Sequence, residues 1–258
     1  MSPNANPAIL RSSLTAYLEE LAESGIDGLP ATDNEISPHA AAATTIPETI
    51  RQAVRSEGPA VEQHETLEKI RKDLGNCQHC KLGKTKKNLV FGVGNPQARL
   101  VFVGEAPDAG EDLKGEPFAG ESGQVLNRII SAMGLQREEI YLCNVVKCHP
   151  ANDHVPTSEE ISACSPFLLR QLQSVKPEVI VALGTFAAQA LLGTKEPISR
   201  LRGKFRDFHG IPIMPTLHPS DLLRNKGDAG PFWDVWDDMT QVLRLLKLPV
   251  PDKSRKTS

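Results

Sequence analysis

Residues 100–120 read LVFVGEAPDAGEDLKGEPFAG: an apolar run, Leu100–Val103, then a loop of glycine, proline and acidic residues in which an aromatic, Phe118, stands near the end. A short continuous apolar run that passes into a glycine loop and then into helical periodicity, here over about 122–134, is the pattern of a buried strand leaving a sheet to feed a helix. Working outward, similar runs predict strands at Ile140–Leu142, Val179–Leu183 and Ile211–Met214. Helical spacing predicts helices near 61–74, 158–173, 185–193 and 232–246. Strands that alternate with helices pair in parallel and are covered on both faces, so the chain reads as α/β. Ligands of such sheets bind beyond the carboxyl ends of the strands, which makes the segments just after each strand the candidate site.

The flanks differ from this body. Residues 8–24 put Ile9, Leu14, Leu18 and Leu21 at helical spacing, and residues 26–60 are rich in Pro, Ala, Thr, Ser and Gly. The expected organisation is an N-terminal helix with a flexible acidic linker over 1–60, one domain over 61–250 and a disordered tail over 251–258. Residues 1–65 hold 3 basic against 10 acidic side chains, net −7, and the remainder 26 against 22, net +4. The body is therefore mildly basic, with clusters at Lys81, Lys84, Lys86 and Lys87, at Arg200, Arg202, Lys204, Arg206 and His209, and at Arg224 and Lys226; each is either solvated surface or a DNA-facing patch. No run approaches the roughly 18 apolar residues of a membrane helix, and the start MSPNANPAIL lacks a signal-peptide pattern. The cytoplasm is the expected location, and no membrane contact is expected.

Each segment after a strand carries one candidate chemistry. Gly104 and Ala106 are small enough for close approach of a ligand to the backbone; Glu105, Asp108, Glu111 and Asp112 make the loop too acidic for a nucleotide triphosphate site, which also wants a lysine. Phe118 either stacks, exposed, on a flat base or closes the core. In NVVKCHP (Asn144–Pro150), Asn144 offers the acceptor and donors that reading a pyrimidine edge requires, or else caps a turn. In TLHPSDLLRN (Thr216–Asn225), His218 either meets charge developing on a ligand or is satisfied by local backbone, and Ser220 with the following helix start can hold a phosphate.

Five cysteines form a second line. Cys77 and Cys80 make a CxxC, Cys148 follows the Asn144 loop and Cys164 sits in a helix, while Cys143 lies inside a strand. Four thiolates from three segments suit zinc or a four-iron cluster, and spacing does not separate the two.

The motifs VFVGEAPDAGED, GEPFAGESGQVL, NVVKCHP, CSPFL, VIVALG and LHPSDLLR, in this order, resemble the family 4 uracil-DNA glycosylases, over about residues 67–247. The resemblance implies a three-layer α/β/α sandwich around a central parallel four-stranded sheet, and a 4Fe-4S cluster on Cys77, Cys80, Cys148 and Cys164 with Cys143 free. It implies that Gly104, Glu105 and Ala106 line a uracil pocket, that Phe118 stacks on the base, that Asn144 reads its edge and that His218 faces O2. Ala106 stands where the best-known branch has an Asp, leaving Glu111 or Glu105 to orient the attacking water. Asp108 replaces a usual Gly, HPANDHVP departs from an RPPGNR-like text, and no KRRIH insert for a covalent adduct is present. The expected activity is release of uracil from single- or double-stranded DNA by a monomer. The alternatives are a glycosylase for another deaminated base and a non-catalytic uracil- or DNA-binding module. Ser220, Arg224, Arg202 and Lys204 are the candidate DNA contacts, and the N-terminal helix is a candidate dock for a repair partner.

Overall fold

The computed structural model describes residues 65–224 and 229–253. The expected N-terminal helix and linker, and the last five residues, lie outside the described residues. Six strands form one sheet: β1 (Val93–Gly94), β2 (Leu100–Gly104), β3 (Tyr141–Asn144), β4 (Val179–Leu183), β5 (Arg206–Phe208) and β6 (Ile211–Thr216), in the order β1-β3-β2-β4-β6-β5. The four inner strands are parallel, as expected, but the sheet as a whole is mixed. β1 pairs antiparallel with β3 and β5 antiparallel with β6, so the four-stranded expectation becomes six.

Alternation along the inner strands builds two cores. Val101, Val103, Ile180, Ala182 and Ile213 face one layer, which receives Leu168 and Leu172 of α4 (Ser158–Val175) and Ala187, Ala188 and Leu191 of α5 (Gly184–Leu192). Leu100, Phe102, Val179, Val181 and Met214 face the other, against Leu126, Ile129 and Ile130 of α3 (Glu121–Ala132) and Val235, Met239 and Val242 of α8 (Gly230–Leu245). Every residue of β2, β3 and β4 is buried, and each large apolar side chain so placed contributes about 1.5–3 kcal/mol. A smaller cluster joins Ile70 and Leu74 of α1 (Leu67–Leu74) to Phe91 and Phe167.

Register sets the site. Gly104 pairs with Asn144 and Leu183 with Thr216, so the four parallel strands end together and their following loops meet on one edge. The segment after β2, which the sequence presents as a loop of glycine, proline and acidic residues, contains a helix, α2 (Ala109–Lys114). Before β5 lies the short helix α6 (Ile198–Leu201), and after β6 the chain passes through His218 into the helix α7 (Pro219–Arg224).

Candidate active site

A cleft of about 480 Å³ opens at the carboxyl ends of the strands, walled by Glu105, Ala106, Glu111, Phe118, Gly184 and His218, with Ser220 and Arg224 among its further lining. The loops after β2 and β3 are locked beyond the sheet, since Val145 N donates to Gly104 O at 2.8 Å and Val146 N to Glu105 O at 3.1 Å.

Asn144 ends β3 and is 1% exposed, packed against Gly104 and Phe118 rather than lining the open space. A Cβ on Gly104 would stand 2.4 Å from Asn144 Oδ1 and 2.7 Å from Phe118 Cζ, so only glycine lets the amide and the ring meet there. Asn144 Nδ2 is buried without a hydrogen-bond partner, a costly state that marks a donor kept for something else. Nearby, the Glu111 carboxylate is favoured by the Asn144 amide, without a hydrogen bond of ordinary geometry to Nδ2.

Asp108 and Glu111 form a capping box at the start of α2: Asp108 Oδ1 accepts from Glu111 N at 2.8 Å, and Glu111 Oε2 accepts from Asp108 N at 3.4 Å. The other Glu111 oxygen accepts from Phe118 N at 2.7 Å. Phe118 holds a left-handed φ of 55°, a strained state for an aromatic residue that the Glu111 bond helps to fix. Gly123 completes the seat, because a Cβ there would lie 1.7 Å from Phe118 O. Burial, with Asp108 beside it, pushes Glu111 up to about 7; burial pushes Glu105 up to about 7 as well. Glu111 is committed to backbone N–H groups. Glu105 lines the cleft, and its carboxyl accepts no hydrogen bond among the described residues.

His218 follows β6. Ser220 N donates to His218 Nδ1 at 3.2 Å, and Ser220 Oγ lies 2.8 Å from the same nitrogen. A backbone N–H can only donate, so Nδ1 accepts and the neutral ring carries its proton on Nε2. Burial holds the imidazole below its ordinary range, against the pull of Asp221. The ring centroid lies 6.4 Å from that of Phe118. Gly184, at φ +86°, lets β4 end beneath it, since a Cβ would come 3.0 Å from His218 Cβ.

Cys77, Cys80, Cys148 and Cys164 line a second, mostly apolar cavity together with Leu74, Leu82, Val146 and Ala163. Cys143 is fully buried in the sheet core and is not in that lining. The CxxC loop is tied by Lys86, whose Nζ donates to Cys77 O at 2.8 Å and Gly83 O at 2.9 Å, and by a turn so tight that a Cβ on Gly83 would meet Cys77 O at 2.5 Å. Burial pushes the Cys148 thiol up to about 12 and raises Cys164, with Lys86 and Lys147 pulling the other way.

A model of the uracil DNA glycosylase superfamily matches residues 91–240. A type-4 uracil-DNA glycosylase of Archaeoglobus fulgidus is 43% identical over 167 residues, which is 62% of this chain and 84% of that protein. One of Thermotoga maritima is 42% identical over 168 residues, 64% and 88% of the two chains. A type-5 uracil-DNA glycosylase of Pyrobaculum aerophilum is 32% identical over 152 residues, 52% and 66%. The chain belongs to the type-4 family of the uracil-DNA glycosylase superfamily.

In this uracil-DNA glycosylase domain most residues singled out by sequence fall into two groups. Glu105, Ala106, Glu111, Phe118, His218, Ser220 and Arg224 line the cleft with Gly104 and Asn144 at its base, and the four cysteines share the second cavity. Phe118 is buried, at 4% exposure, rather than exposed as the stacking reading pictured. Arg202 and Lys204 are not in the cleft lining. Arg202 instead donates to the fully buried Asp238 through Nε at 3.2 Å and Nη2 at 3.1 Å, and Thr216 Oγ1 donates to the same carboxylate at 2.6 Å. Asp108, one of the loop's acidic residues and its departure from the family's usual Gly, has φ −81° and serves as the helix cap. The DxxE spacing of Asp108 and Glu111 was the signal for α2. Gly123, Gly184, Lys147 and the half-exposed Phe186 on the cleft wall carried no signal of their own.

Proposed function

We propose that this chain removes uracil from DNA by hydrolysing its N-glycosidic bond, leaving free uracil and an abasic site. The observation that carries the reading is the buried, unpartnered Asn144 Nδ2 beside the Phe118 ring, with a neutral His218 across the same cleft. A flipped uracil fits these groups: Asn144 Nδ2 donates to O4, Asn144 Oδ1 accepts from N3–H, and His218 Nε2–H donates to O2. The base takes the space over Gly104 that the tip of Phe118 now fills, and that ring moves to lie on the base face. Flipping costs a few kcal/mol, which stacking and the edge hydrogen bonds offset.

As the bond to the sugar breaks, negative charge gathers on uracil. A neutral imidazole held by Ser220 stabilises that charge by donation without needing to be recharged, and one such donor is worth about 3 kcal/mol. Glu105 orients the water that attacks the sugar carbon, and Glu111 orients Phe118. Ser220 and Arg224, on the cleft wall, meet the DNA phosphates.

Cys77, Cys80, Cys148 and Cys164 would hold a four-iron four-sulfur cluster. The donor set fits: four thiols and no carboxylate surround one cavity. Among the described residues no group of three or more His, Cys, Asp or Glu side chains is placed to hold a metal ion; four thiols suit zinc and a four-iron cluster alike, and the likeness to the type-4 family is what favours the cluster. When bound, the cluster supplies a cross-link among three chain segments and a positive core that keeps buried thiols ionised. No helix among the described residues is long and apolar enough to cross a membrane. Five cysteines without a disulfide fit a reducing compartment such as the cytoplasm.

The test is release of free base by the whole protein from labelled oligonucleotides carrying U:G, U:A, single-stranded U or T:G. Uracil release with T:G inert is expected. Binding of uracil-containing DNA with no base release would instead make the chain a non-catalytic sensor.

A further inference from the structure

Lys147 is the largest buried group without a role so far. Its side chain is fully buried, at 0% exposure, and its Nζ donates to Asn144 O at 2.6 Å, the carbonyl of the uracil-reading residue. Its own carbonyl accepts from Val90 N at 2.8 Å, which fixes the backbone on the other side. No carboxylate lies within 4 Å of Nζ among the described residues. Lys147 is also part of the lining of the cysteine cavity, beside Cys148 and Cys164. The same residue therefore joins the base-reading strand end to that cavity.

We propose that Lys147 is a positioning residue that joins the two: its Nζ holds the end of β3 so that the Asn144 amide keeps its place, and its seat in the wall of the cysteine cavity ties that strand end to the segment that carries Cys148. The proposal rests on the glycosylase reading for its catalytic half and on the cysteine geometry for its other half. An outer partner of this kind is worth about tenfold or more in metal retention or activity.

The experiment uses the whole chain isolated with its cluster, as wild type, Lys147→Met and Lys147→Arg. It records thermal melting, bleaching of the visible absorbance in chelator, oligonucleotide affinity and the single-turnover rate of uracil release. Lys147→Met is expected to melt cooperatively, bleach about tenfold faster and release uracil about tenfold more slowly at unchanged affinity. Lys147→Arg, which still fills the wall of the cysteine cavity but replaces the compact ammonium at Asn144 O with a planar guanidinium, is expected to bleach like wild type yet release uracil slowly. Should the Met variant not fold, the Arg variant decides, and wild-type release by it overturns the proposal. A Met variant altered in only one of bleaching and release overturns the coupling. A wild type that holds its cluster but releases no uracil sinks the glycosylase reading instead; the bleaching contrast then decides alone, with equal lifetimes for Met and wild type overturning the proposal.

Discussion

Asn144, the last residue of β3, belongs to the cleft, and Cys148, four residues on, belongs to the cysteine cavity, so two unlike regions share one strand end. The cleft is open and lined by polar and apolar groups alike. Its groups are mounted on strand ends and helix starts, held by backbone bonds such as Phe118 N to Glu111 and Ser220 N to His218, and left with one buried donor unspent. The cysteine cavity is apolar, and its thiols arrive from a tied loop, a strand exit and the middle of α4. Rigidity has two sources here under the proposed function: the sheet positions the chemistry, whereas a bound cluster would hold together the segments that carry the thiols. Changes in the cysteine cavity should therefore cost fold, and changes in the cleft should cost rate.

The sharpest break of that division is Cys164→Ser. It is expected to give colourless protein that no longer melts cooperatively, read by visible absorbance and calorimetry; a well-folded variant of full activity would erase the distinction. Next comes Gly104→Ala, whose Cβ would collide with Asn144 Oδ1 and Phe118. A loss of about a hundredfold in single-turnover rate is expected with little change in melting, and a normal rate would mean that the space over Gly104 does not receive the base.

Glu105→Gln separates the two raised carboxyls. With Glu105 at about 7, the ionised form that orients water appears only above that pH, so wild-type release should climb through pH 7 and level off. The variant should show a flat profile about tenfold lower on the alkaline side, with His218 contributing nothing there because it titrates lower. The sign for stability is opposite: the folded state holds the Glu105 proton more tightly than the unfolded chain, so this contribution is lost as pH rises from about 4.5 to about 7. An unaltered wild-type climb in the Gln variant would remove Glu105 from the water-orienting role. The smallest effect belongs to Arg224→Ala at the exposed rim, expected to weaken DNA binding a few-fold and lower the salt slope by about 1, measured by titration at several salt concentrations.

The division also explains what the sequence could reveal. β2, β3, β4 and β6 were legible because fully buried parallel strands write themselves as apolar runs, and Val179–Leu183 came out with its boundaries intact. The edge strands Val93–Gly94 and Arg206–Phe208 are two and three residues long, too short to show alternation. Phe118, Asn144 and His218 were legible through their places after strands and through the family likeness. The tie of Glu111 to Phe118 N, seven residues on, is not legible in the sequence because it hangs on α2, a six-residue helix too short to show apolar periodicity. Arg202 sat in a basic run that looked like surface, but its partner Asp238 is 36 residues away on another helix. Lys147 was invisible for the same reason, since burial of a lysine is decided by what packs around it and not by its neighbours in sequence.

The most direct measurement is single-turnover uracil release from a single-stranded oligonucleotide by wild type, Asn144→Ala and His218→Ala, each checked for cooperative melting and cluster colour. Loss of at least about a hundredfold in both variants, with DNA affinity nearly kept, is the expected result. Folded, coloured variants that release uracil at the wild-type rate would contradict the assignment of this cleft as the place where uracil is read and its bond broken.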